Sequence, residues 1–266
     1  MGRRRQLGSC GGSPAQGVVP SQDTGRRRLI VLVNAIMAVL GLLLGGLVLA
    51  GPVVDREPSG PTAAIVDQLS LTYPNPAFVE AATNTLKAAG YRVDYIPGEH
   101  VGVGFYRSLP SRDYDLVILR VHSALNMEMD YVALFTSQPY VEGGFADWKP
   151  VWVSYSQDDP IYFGVGPEFI DRSMRGRFDG ALVVMMGCNG LTSKATAEAF
   201  LGRGAKAVVA WNGDVSPEHT DAATERLLEK LVMERLPVED AAAQTAAEVG
   251  PDPVYGAQLT VLTAER

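Results

Sequence analysis

Short apolar runs alternate with amphipathic stretches along most of this chain. Ala63 to Asp67 reads as a first strand, followed by the turn residues Tyr73-Pro74-Asn75-Pro76. Phe78 to Ala89 carries apolar residues at helical spacing and stops at Gly90, a residue suited to a helix C-terminus. Tyr91 to Ile96 predicts a second strand, bounded by Pro97-Gly98. Asp115 to Val121 and Ala181 to Gly187 are apolar almost throughout, as parallel strands covered on both faces are. Ser193 to Leu201 reads as a helix and Ala205 to Trp211 as another apolar strand. A long amphipathic helix follows, with Ser216 as its N-cap and Pro217 as its first residue, running to about Arg235. A shorter helix over Val238 to Val249 and a last apolar run, Gln258 to Leu262, close the pattern. Strands alternating with helices predict a doubly wound α/β sandwich around a mostly parallel sheet.

One stretch departs from that alternation. Thr136 to Ile170 is rich in Gly, Pro, Tyr and Trp, with β-like pieces near Pro150 to Tyr155 and Ile161 to Phe163. It lies between the strands at 115–121 and 181–187, and reads either as a wall beside the sheet rim or as a simple β-hairpin flap.

The N-terminal portion has a different composition. Residues 1–28 are rich in Gly, Ser, Gln and Arg without apolar periodicity, and read as a disordered basic tail. Leu29 to Ala50 is apolar, and at about 1.5 Å per residue it spans roughly 33 Å, enough for a bilayer core of about 30 Å. A secretory signal peptide is the competing reading, but its apolar core is usually only about 7–15 residues long. The expectation is a transmembrane helix over 29–51, a Pro/Gly/Ser linker over 52–62 and one α/β domain over 63–266. Arg26-Arg27-Arg28 precedes the apolar segment, so the positive-inside rule puts the N-terminus in the cytoplasm and the main domain outside it. Gly41 and Gly45 form a candidate face for packing two such anchors into a homodimer.

The net charge of −7 includes the arginine-rich tail, so the α/β domain is more acidic still, and no basic patch supports nucleic-acid binding. Of the two cysteines, Cys10 falls on the opposite side of the expected membrane from Cys188. Cys188 is then an unpaired thiol, either reactive or plainly buried.

Two of the apolar strands end on chemically active side chains, His122-Ser123 and Cys188-Asn189-Gly190. Residues just past the carboxyl ends of parallel strands sit where α/β proteins bind ligands. A histidine and a cysteine on neighbouring rims meet as base and nucleophile, although a strand-end histidine is often only a hydrogen-bonding residue. Gly187 and Gly190 let the backbone turn sharply, and amides around a strand-to-helix turn stabilise an oxyanion. The following helix N-terminus would also lower the thiol pKa. His100, in a turn, and His219, in the first turn of the long helix, read as surface residues. No second Cys or His lies near His122 or Cys188 to complete a metal site, and Gly102-Val103-Gly104 lacks the rest of a nucleotide-binding loop. No metal or cofactor is expected.

Val117 to Ser123, Val183 to Gly190 and Ala197 to Trp211 together resemble the caspase-like cysteine peptidases, closest to the CHAT branch related to caspases and separase. The resemblance covers roughly Asp115 to Leu231 and implies a caspase-like three-layer sandwich with a His122–Cys188 dyad. It implies a cysteine endopeptidase acting on a protein or peptide, which the apolar segment over 29–51 would hold at the membrane. Gly187 and Ser123 would then lie at the oxyanion site, and Asp214 would receive a basic substrate side chain or else cap a helix. Two departures stand out: His122-Ser123 replaces the usual His-Gly, and Asn189 replaces an acidic residue after the cysteine. A catalytically inactive domain retained for binding or sensing is the alternative. An amidotransferase-like pairing of Cys188 with His219 is a third reading, weakened by Met186 where that class has glycine.

Overall fold

The computed structural model describes residues 60–156 and 159–264. The expected tail, membrane helix and nearly all of the linker lie outside the described residues. Among the described residues no helix is long and apolar enough to cross a membrane.

Six strands form the main sheet: β1 (Thr62–Asp67), β2 (Arg92–Pro97), β3 (Leu116–Arg120), β8 (Leu182–Met185), β9 (Ala207–Trp211) and β10 (Leu259–Thr263). Their order is β10-β9-β8-β3-β1-β2, parallel except for β10, which pairs antiparallel with β9. The expected mostly parallel α/β sheet is therefore present.

Period-two alternation explains how one sheet feeds two cores. Ala63 and Ile65 of β1 join a cluster with α1 (Pro76–Ala88), α5 (Pro217–Leu228) and α6 (Val238–Val249). Ala64 and Val66 face the opposite way, into a cluster with α2 (Val103–Ser108), α3 (Pro167–Ser173) and α4 (Ala195–Gly202). The central strands are buried along their whole length, whereas edge strand β2 exposes Arg92, Asp94 and Tyr95, which discourages pairing with another chain.

The irregular stretch between β3 and β8 is more ordered than its composition implied. Together with residues 123–135 before it, it forms a second, antiparallel sheet in the order β4-β5-β7-β6, from β4 (Ser123–Asn126), β5 (Tyr131–Pro139), β6 (Val151–Val153) and β7 (Tyr162–Val165). Leu134, Phe163 and Val165 of this sheet pack into the core that holds α2, α3 and α4. β3 and β8 remain direct neighbours, with Leu119 opposite Met185. The chain therefore leaves the main sheet at His122 and returns to the adjacent rim at Cys188. The strand order reverses between β1 and β3, which also delivers the end of β1 to this rim.

Candidate active site

The Cys188 loop is built by close backbone approach. A Cβ on Gly187 would collide with the Val121 carbonyl and the Ser123 hydroxyl, so only glycine lets this turn lie against the His122 segment. Ser123 Oγ then donates to the Cys188 carbonyl at 2.5 Å, tying the two loops together. Asn189 adopts the left-handed conformation, with φ of 62°, which an asparagine tolerates. Its amide donates to Gly213 O at 2.7 Å and its side chain to Asp214 at 2.6 Å.

Helix α4 begins only at Ala195, so a turn separates Cys188 from any helix N-terminus. The expected helix field on the thiol is absent for that reason. Burial pushes the Cys188 thiol pKa up, and the carboxylates of Asp214 and Asp252 add to this. The Val215 amide, donating to Sγ at 3.5 Å, opposes the shift without reversing it. Cys188 is thus a neutral thiol at neutral pH.

His122 is enclosed from several sides. Its backbone amide donates to Gln68 Oε1 at 3.0 Å, and its Nε2 lies 2.9 Å from Thr72 Oγ1. Tyr155, in the loop after β6, packs edge-on against the imidazole at 4.7 Å between ring centroids, with its hydroxyl bonded to Gln68. Tyr73 and Phe135 add further ring contacts. Burial, then the Arg120 charge, lowers the His122 pKa to about 4. The ring is therefore neutral near pH 7.

Beneath this shell Arg120 is fully buried. It donates twice to Asp221 of α5, at 2.7 and 2.8 Å, and once to Asp67 at the end of β1, at 2.7 Å. A fourth bond, at 2.8 Å, goes to the Tyr73 carbonyl. Asp67 and Tyr73 flank the segment that carries Gln68 and Thr72, so the guanidinium pins both ends of the loop that orients His122. Sequence reasoning passed over Arg120. Its signal was a charge inside an apolar strand, since an arginine buried there requires partners. Gln68, Thr72 and Tyr155 carried no comparable signal.

His122, Gly187 and Cys188 line one cavity of about 150 Å³. Of the other residues singled out from sequence, Ser123 acts as the tie between the loops. Asp214 is exposed, bonded to Asn189 and absent from the cavity lining. His100 is exposed, as expected, while His219 packs on Trp211 with its Nε2 3.3 Å from the Gly250 carbonyl. His219 does not line the Cys188 cavity, which removes the basis for the amidotransferase-like pairing.

No protein-family model matches the chain. No curated protein matches it either. Among solved structures, similarity is found to the separase–securin complex of Saccharomyces cerevisiae, at a TM-score of 0.43 and 13% identity. The matched region covers 77% of this chain and 12% of the other, so the chain corresponds to a small part of that protein's length.

Proposed function

We propose that the chain is a caspase-like cysteine endopeptidase of the CHAT type, acting through His122 and Cys188. The observation that carries this reading is the shared cavity: a neutral imidazole and an unpaired thiol open onto the same small space at the rim of β3 and β8. The pKa directions favour a general-base pair over a preformed thiolate–imidazolium pair.

As Cys188 Sγ attacks the substrate carbonyl carbon, its proton passes to His122 and the carbon–sulfur bond forms. The ring nitrogen that carries the lone pair accepts this proton. The tetrahedral oxyanion is held by the Gly187 and Cys188 amides, because the Asn189 amide is already spent on Gly213. His122 returns the proton to the leaving amine, the carbon–nitrogen bond breaks, and water later releases the acyl group with His122 again as base.

In the same proposal, residues 29–51 anchor the chain with its N-terminus in the cytoplasm and its main domain outside. The substrate is then a protein or peptide, and Gly41 and Gly45 pair two anchors. A specific observation favours a second reading, a non-catalytic binding domain: the thiol is held in its less nucleophilic form. A peptidyl electrophile that labels the wild type and spares Cys188→Ala, with matching cleavage of a fluorogenic peptide library, supports the enzyme. Absence of both labelling and cleavage leaves the binding domain.

A further inference from the structure

The cavity shared by His122 and Cys188 is walled by apolar side chains. Leu69, Val121, Met186 and Val215 line it, none more than 6% exposed, and Pro217 completes the wall. Tyr73 and Tyr255, about half exposed, form its outer rim. Thr220 also faces it, but its hydroxyl is engaged with the Met186 carbonyl and the Trp211 indole N–H. Among the described residues, no carboxylate, ammonium or guanidinium is among the lining groups. The nearby Arg120 charge is taken up by Asp67 and Asp221, and Asp214 lies outside the lining.

We infer that this cavity is the specificity pocket for the substrate residue whose carbonyl Cys188 attacks, and that it accepts an uncharged aliphatic or single-ring aromatic side chain. The inference rests on the peptidase reading and extends it to substrate class. Cys188 is itself among the lining residues, which places the pocket beside the attacked carbonyl. Its volume of about 150 Å³ is the size at which an apolar protein cavity takes up a benzene-sized group. A lysine, arginine or aspartate side chain entering it would lose hydration without gaining a partner. A basic side chain reaching for Asp214 would have to lie outside the pocket.

The test uses the full chain in detergent and fluorogenic peptides differing only in the residue before the scissile bond. Leucine, valine or phenylalanine is expected to raise kcat/KM about tenfold or more over arginine, lysine or aspartate. Tyr255→Glu places a carboxylate at the rim and shifts preference toward arginine and lysine. In parallel, Cys188→Ser protein is titrated with N-acetyl-leucinamide and N-acetyl-argininamide, reading the Met186 methyl by NMR. Only the leucine compound is expected to move it. Cleavage after arginine in preference to leucine overturns the apolar pocket while leaving the peptidase reading intact. No cleavage of any peptide, with Met186 still responding to leucinamide, overturns the pocket's role in catalysis and the peptidase reading with it. Silence of Met186 toward leucinamide overturns the apolar pocket whatever the cleavage result.

Discussion

Replacing Arg120 with methionine tests whether the buried ion network organises the site. Arg120 is the shared counter-charge of Asp67 and Asp221, both at 2.7 Å and all three nearly inaccessible. Removing one partner of a buried pair costs about 3–5 kcal/mol, and two stranded carboxylates put Arg120→Met at the upper end of that range. For a domain of this size each kcal/mol moves Tm by about 2–4 °C, so a fall of roughly 10–20 °C is expected. Asp67→Asn/Arg120→Met/Asp221→Asn removes the stranded charges and should recover roughly half of the loss. The site should respond as well. The Tyr73 carbonyl loses its donor, the loop carrying Thr72 loosens, and the His122 pKa rises because a neighbouring positive charge is gone. Urea denaturation of the single and triple variants, with NMR titration of the ring, measures both effects. A loss below about 1 kcal/mol, or a triple variant no better than the single, would refute the reasoning.

Three more outcomes follow from the same geometry. Burial keeps His122 at about 4 when folded against 6.5 in an ordinary environment, so between those values the unfolded chain binds the extra proton. The stability gained by keeping the ring neutral is full above about 6.5 and is lost as pH falls toward 4, on the order of 3 kcal/mol. His122→Gln should flatten that part of the pH dependence, and identical urea midpoints against pH in both proteins would contradict this. Gly187→Ala forces a methyl against Val121 and Ser123, with an expected cost of about 1–3 kcal/mol and a fall in peptide cleavage; an unchanged melting curve argues against the close approach. Alkylation of Cys188 by iodoacetamide should keep accelerating up to alkaline pH, because the thiol pKa is raised; a rate already at its plateau near pH 6 would show a preformed thiolate.

Much of the fold was legible because its central strands are buried on both faces, which leaves unbroken apolar runs at β3, β8 and β9. α6 matches its expected span of Val238 to Val249, set off by Pro237 before it and Gly250 after it. The second sheet was only half visible. In β5 the residues from Val132 to Thr136 are all buried, so the alternation that marks a strand with one wet face is missing. α2, at six residues, is too short to show helical periodicity. The fit of Ser216 to an N-cap concealed another arrangement: its hydroxyl has no partner among the described residues, and Asp252 accepts from its amide instead. At the site, His122 and Cys188 stood out because each ends an apolar run. Their partners come from the end of β1 and from the second sheet, and only the folded chain brings those together. The turn between Cys188 and α4 was equally hidden, and with it the direction of the thiol shift.

The central claim is that the imidazole and the thiol face one another, and one titration tests it directly. In a Cys10→Ser background, iodoacetate converts Cys188 to a carboxymethyl thioether, placing a carboxylate in the cavity. The ring of His122 is then titrated by NMR and compared with the unmodified protein. The account expects the His122 midpoint to rise from about 4 by about one pH unit or more. A His122 midpoint unmoved by the new carboxylate would contradict it.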